Sequence, residues 1–257
     1  MRISLFASMT ELLGLPLGWL VFYGAVMLVA FTIASTLGMG GPLMVMPLLL
    51  LQFEAATAVA LIVPVIWVNN VGRTLLHHHH INWEAVWRSA LLSVPLTLAA
   101  AYLTSEVPDT VLKILIIALI VYALASRYLF KVELKVGKKG LILWGIPIGI
   151  FTGLMGTSGP PMAIAYKGYG LVLRHFIATF SCVQIALQLV RLPGYWTSGL
   201  LNPGNLPLAL YFALCGLPGV ILAKPFLHRI KPETFRIGID ILLGLIALTM
   251  LIDVIND

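Results

Sequence analysis

Long apolar runs, separated by short clusters of glycine, proline and charge, set the pattern of this chain. Uncharged stretches cover Leu17–Leu37 and residues 55–72, 89–105, 141–166, 175–190 and 192–223. A hydrocarbon core about 30 Å thick takes roughly 20 apolar residues in a helix. A helix also satisfies its own backbone polar groups where no water is present. The pattern therefore predicts an all-α, polytopic membrane protein. Arms at 17–37 and 42–51 flank a break at 38–41, and full helices follow at 55–76, 85–104 and 110–130. A second break at 156–159 precedes helices at 175–193, 206–223 and 237–252. No linker or low-complexity tract interrupts the plan, so residues 1–257 read as one transmembrane domain.

The chain also contains itself twice. Leu37-Gly38-Met39-Gly40-Gly41-Pro42-Leu43-Met44-Val45 returns, 118 residues later, as Met155-Gly156-Thr157-Ser158-Gly159-Pro160-Pro161-Met162-Ala163. At the same offset Asn70 falls on Gln188 and Arg73 on Arg191. The repeats span 17–130 and 141–252. Duplicated apolar halves that share a Gly/Pro break are a signature of secondary transporters.

Composition agrees with the class. Of 257 residues, 60% are hydrophobic and 10% charged, against roughly 25% charged in soluble domains. The net charge of +6 does not call for nucleic acid, because Lys and Arg of membrane proteins gather in cytoplasmic loops. That rule decides the topology. If the second arm turns back as a re-entrant hairpin, 13 of the 16 Lys and Arg residues fall on one side and 3 on the other. If each broken element crosses once, the split is 9 to 7. The first arrangement is preferred. Hairpin plus three crossings is an odd count, so the two halves are inverted and both termini lie outside.

The breaks are the candidate site. Gly38, Gly40 and Gly41, and Gly156 and Gly159, permit tight reversal and close backbone approach. Pro42 and Pro160 suit a first helical turn. The outgoing arms then point helix N-termini, which favour anions, at the tips. Thr157 and Ser158 add hydroxyl donors. The plainer alternative is that these small residues only let helices pack closely. Asn70 and Arg73 share one helical face, and Gln184, Gln188 and Arg191 another. Polar groups at this depth should line the interior or a wet cavity. The arginines are placed near opposite mouths, with interfacial snorkelling as the other reading of Arg73. Asp240 is a coupling candidate, although an acid near a helix start also suits the dipole. His77-His78-His79-His80 fan outward on a helix and define no metal site. Cys182 and Cys215 read as reduced residues of the apolar interior. No cofactor is expected.

The tandem breaks at 37–47 and 155–165, the length and the duplicated plan resemble the TauE/SafE family of membrane anion exporters, over nearly the whole chain. The resemblance implies a plasma (inner) membrane protein exporting sulfite, sulfoacetate or a related organosulfur anion. It points to Gly38, Gly40, Gly41, Pro42, Gly156, Gly159 and Pro160 as the tip residues. Thr157 and Ser158 stand where family tips often carry glycine. The expected partners are the small anion and the bilayer, not nucleic acid, and a homo-oligomer is compatible with this plan. A passive anion channel is the alternative function. An intramembrane enzyme ranks below it, because no nucleophile–base pair is evident.

Overall fold

The computed structural model describes residues 13–128 and 134–226, together with Leu248 and Leu251. Helix α1 (Leu17–Leu37) leads to the first break and α2 (Gly41–Leu49) leaves it. Then come α3 (Ala55–Leu61), α4 (Val63–His77), α5 (Trp83–Leu103) and α6 (Asp109–Tyr128). The second half runs through α7 (Lys138–Met155), α8 (Gly159–Gly168), α9 (Leu173–Thr197), α10 (Leu206–Gly216) and α11 (Pro218–Phe226). Among the described residues there is no strand. Five helical stretches there are long and apolar enough to cross a membrane.

Local chemistry explains most boundaries. Both incoming arms stop at a left-handed glycine, Gly38 with φ 85° and Gly156 with φ 77°, a conformation that only glycine adopts freely. The outgoing arms begin with proline in their first turn. Asn82 caps α5 by accepting from the Ala85 N–H at 3.0 Å. Asp109 Oδ1 accepts from the Ala55 N–H at 2.6 Å and so ties the start of α6 to the start of α3.

Two predicted helices are each observed as a pair. The 55–76 element breaks at Ile62 and the 206–223 element at Leu217. Pro64 and Pro218, just beyond these points, cannot donate the N–H that a continuous helix needs. In contrast, α9 runs through Pro193 to Thr197. Asp240 and all of the predicted helix 237–252 except Leu248 and Leu251 lie outside the described residues, as do Arg2, Lys131, Arg229, Lys231 and Arg236.

The short outgoing arms are sheltered by protein. With nine residues, α2 is about 14 Å long at 1.5 Å per residue, about half a hydrocarbon core. Every residue of α2 except Leu48 is buried. In α8, Gly159 to Ala163, Ala165 and Tyr166 are buried.

The halves interlock. Helix α5 of the first half packs along α7, the incoming arm of the second. Helices α10 and α11 of the second half pack along α1, the incoming arm of the first. Gly145, Gly149 and Gly153 line the α7 side of the first contact, and a Cβ at Gly149 would lie 2.7 Å from the Ser93 carbonyl oxygen. Thr97 and Thr104 donate across it to the carbonyls of Gly149 and Gly153, at 3.2 and 3.1 Å. Where lipid offers little hydrophobic drive, such close approach and interhelical hydrogen bonding hold helices together.

Candidate functional site

The two breaks share one cavity. Its walls include Met39, Gly40, Gly41 and Pro42 from the first break and Gly156 and Thr157 from the second. Asn70 and Arg73 from α4, and Phe180 and Gln184 from α9, close it with Phe31, Ala34 and Ile66. The cavity is about 20 Å³, room for a water or two. Gly38, Ser158, Gly159, Pro160, Gln188 and Arg191 are not among the lining residues.

Each tip leans on the opposite half in a matching way. A Cβ at Gly38 would meet Ile177 Cγ1 at 2.8 Å, and one at Gly156 would meet Val59 Cγ1 at 3.4 Å. Gly38 and Gly156 correspond in the repeat, and so do Val59 and Ile177.

Two guanidinium groups are buried beside the tips. Arg73 is 5% exposed and Arg191 is fully buried. Both are thus buried in the bundle, which fits neither an arginine at an open mouth nor, for Arg73, the alternative of interfacial snorkelling. Each side chain turns toward acceptors inside the bundle. Arg73 donates from Nη1 to the Ala34 carbonyl at 3.2 Å and from Nη2 to Asn70 Oδ1 at 2.5 Å. Its Nε is buried and, among the described residues, has no partner. The Phe180 ring centroid lies 6.0 Å from its guanidinium carbon.

Arg191 is bonded more completely. Nε donates to Tyr195 Oη at 3.2 Å, and Nη1 to the Gly156 carbonyl at 3.1 Å and to Gln188 Oε1 at 2.6 Å. Nη2 reaches the Val59 carbonyl at 3.2 Å. Gln188 Nε2 donates to Gln184 Oε1 at 2.9 Å, and Gln184 Nε2 to Ser158 Oγ at 3.1 Å. Thr152 Oγ1 also donates to Ser158, at 2.8 Å. A single file of donors thus runs from Arg191 through both glutamines to the second tip.

The electrostatics follow from these partners. Among the described residues neither arginine forms an ion pair. Both bond instead to carbonyls near the C-terminal ends of helices, where the macrodipole is negative. A dipole end amounts to about half a charge, so each guanidinium is only partly offset. The N-termini of α2 and α8 add positive potential at the same tips.

Several members of this arrangement escaped the sequence reading. Tyr195 is four residues after Arg191 and on the same face, a signal that was available. Thr152, Val59 and the ring of Phe180 come from distant segments and carry no local signal. The histidine run ends away from any cluster. The His78 and His79 rings lie 3.7 Å apart and tilted, His80 meets His175 at 5.4 Å, and among the described residues no three His, Cys, Asp or Glu side chains converge.

A small cavity with one arginine on its wall thus lies between two helix breaks, among helices long and apolar enough to cross a membrane. The family model of the sulfite exporter TauE/SafE matches residues 23–250. The chain belongs to the TauE/SafE family. A probable membrane transporter protein of Methanocaldococcus jannaschii is 25% identical over 242 residues, covering 86% of this chain and 91% of that one. No solved structure matches. This TauE/SafE chain is therefore an integral membrane protein of a transporter family. Both breaks, 38–41 and 156–159, fall within the matched region.

Proposed function

We propose that this protein is a secondary transporter that exports small anions across the plasma membrane, with sulfite, sulfoacetate or a related organosulfur anion as cargo. The observation that carries the reading is the buried Nε of Arg73, without a hydrogen-bond partner among the described residues, in a side chain that lines the cavity shared by both breaks. A guanidinium with no carboxylate partner among the described residues, next to two helix N-termini, is built to receive an oxyanion. Arg73, Asn70, Thr157 and Gln184 form its polar wall, and Gly40, Gly41, Pro42 and Gly156 its backbone wall. Gly38, Ser158, Gly159, Pro160, Gln188 and Arg191 support the wall.

The mechanism we infer is alternating access about inverted repeats. The mirrored contacts, Gly38 on Ile177 and Gly156 on Val59, support a two-fold relation between the halves. The buried short arms α2 and α8 support re-entrant hairpins. In lipid, irregular backbone at membrane depth must be covered by protein or line a cavity. A cavity with room for only a water or two fits an occluded state, and an anion enters when the tips part. Transport, not catalysis, is the reading that membership of this family favours. Asp240 is kept as the candidate coupling acid.

The test is transport in proteoliposomes. Labelled sulfite should show saturable counterflow with the parent protein and lose it with Arg73→Gln. Linear, non-saturating flux would favour the passive channel instead. Saturable counterflow that is unchanged in Arg73→Gln would remove this cavity from the pathway.

A further inference from the structure

At the other end of α7 the chain carries a second positively charged feature, remote from the tips. A groove of about 400 Å³ opens there, lined by Leu134, Lys135, Gly140, Leu143, Trp144 and Pro147. Lys135 stands on its edge, and two more lysines follow within four residues. Lys138 and Lys139 are the first two residues of α7, whose N-cap is Gly137, with no side-chain cap and no acid in the first turn. Cations at the positive end of a helix dipole are unfavourable unless an anion joins them. Glu84 supplies part of that need, since it pairs with Lys138 at 2.7 Å and with Arg88 at 2.9 Å. Among the described residues Lys135 and Lys139 form no ion pair.

The upper edge is also fixed in place. Val136 N–H donates to the Gly168 carbonyl at 2.9 Å, and the Val136 side chain is buried in the apolar cluster with Leu141 and Tyr166. Lys135 is exposed beside it. Below the lysines the groove turns apolar, with Leu143 62% exposed and Trp144 and Pro147 beneath it. From Gly140 to Pro147 the helix rises about 10 Å.

The geometry points to an anionic-phospholipid site in this groove, with the headgroup phosphate on Lys135 and Lys139 and an acyl chain along Leu143, Trp144 and Pro147. Charge selects the headgroup. Lysines with no ion pair among the described residues and the uncapped helix start match a phosphodiester, whereas a zwitterionic lipid brings its own cation. The apolar floor favours a lipid over free phosphate, because only a lipid joins an acyl chain along Leu143 and Pro147 to a phosphate at the lysines. Basic pockets next to membrane helices take anionic headgroups in this way. The site does not depend on what the central cavity carries.

The test uses the full chain in dodecyl maltoside, with the thermal midpoint followed as lipid is added. Phosphatidylglycerol should raise the midpoint at concentrations where phosphatidylcholine does not. A Lys135→Ser/Lys139→Ser variant, measured against its own lipid-free midpoint, should need about thirtyfold more phosphatidylglycerol, the combined worth of two interfacial lysines. Leu143→Ser, at an exposed position, should weaken the response with both lysines intact. Glycerol 3-phosphate alone should not stabilise the protein. The proposal is overturned if the double variant responds at the parent's concentration. It is overturned equally if phosphatidylcholine or glycerol 3-phosphate matches phosphatidylglycerol.

Discussion

Arg191 donates from Nη1 to the Gly156 carbonyl at 3.1 Å, so a cation on α9 caps the C-terminal end of the incoming arm α7. The same guanidinium holds the Val59 carbonyl of the first half. Val59 lies in α3, just before that helix breaks ahead of Pro64. One side chain thus covers two helix ends that belong to different halves. Arg73 covers one, at Ala34, and keeps its Nε in reserve. The paired arginines of the repeat have therefore diverged in use.

This difference predicts opposite phenotypes. Arg191→Leu would strip donors from Gly156, Val59, Gln188 and Tyr195, all in a buried setting. Buried acceptors left unpaired cost about 1–3 kcal/mol each. Part of this returns because a buried charge is also removed. A net loss on the order of 2–4 kcal/mol is expected, read as a lower thermal midpoint in detergent. Arg191→Lys should recover only part of it, since lysine lacks the planar fork. An unchanged midpoint in Arg191→Leu would refute the capping role.

Arg73→Gln should behave the other way. Only two donor bonds are lost, and glutamine can restore one of them. The thermal midpoint should move little. Anion affinity should fall about ten- to a hundredfold, the worth of one charge-assisted hydrogen bond. Isothermal titration with sulfite on the purified protein measures it. Equal affinity in parent and variant would show that the tip backbone binds alone.

The two tips should also differ in tolerance. A Cβ at Gly41 would press on Phe31 Cε1 at 3.0 Å and on the Ala34 Cβ at 3.1 Å. At Gly159 the nearest atom is Thr157 Oγ1 at 3.7 Å, an ordinary contact. Gly41→Ala should therefore displace the cavity wall and reduce transport severalfold. Gly159→Ala should leave transport within about twofold of the parent. Initial rates in proteoliposomes decide between them. Equal rates for both variants would mean that close packing at Gly41 has no bearing on the cavity.

Much of this arrangement was legible in the chain because it is written in periodicity. The apolar runs marked the membrane helices, and the 118-residue offset from Gly38 to Gly156 marked the breaks. The i, i+4, i+7 spacing of Gln184, Gln188 and Arg191 placed them on one face, and they do form one hydrogen-bonded file. Burial of the arginines was not legible. An arginine that caps carbonyls deep in the bundle and one that snorkels to the interface have the same local sequence. The difference lies in the Ala34 and Val59 carbonyls, 39 and 132 residues away. The breaks at Ile62 and Leu217 were marked by Pro64 and Pro218, yet Pro193 carries the same mark inside an unbroken helix. Proline removes a donor, and tertiary packing then decides whether the helix continues.

The last prediction concerns orientation. Positive charge in short loops marks the cytoplasmic side, and buried arginines should not enter that count. Arg73 and Arg191 are both buried, so they leave opposite sides of the 13-to-3 split read from the sequence. That leaves 12 to 2, and the preference is slightly stronger than before. His78 and Lys139 are exposed on the basic side, and Pro203 is exposed in the loop between α9 and α10 on the other. With Cys182 and Cys215 replaced by serine to remove background, single cysteines at these positions report sidedness. In intact cells an impermeant maleimide should label Pro203→Cys at once. It should label His78→Cys and Lys139→Cys only after permeabilisation. Labelling of Lys139→Cys in intact cells would reverse the assignment. Labelling that splits His78 from Lys139 would be more damaging. It would mean that the chain between α4 and α7 crosses an odd number of times, and the re-entrant, inverted-repeat topology would then fail as a whole.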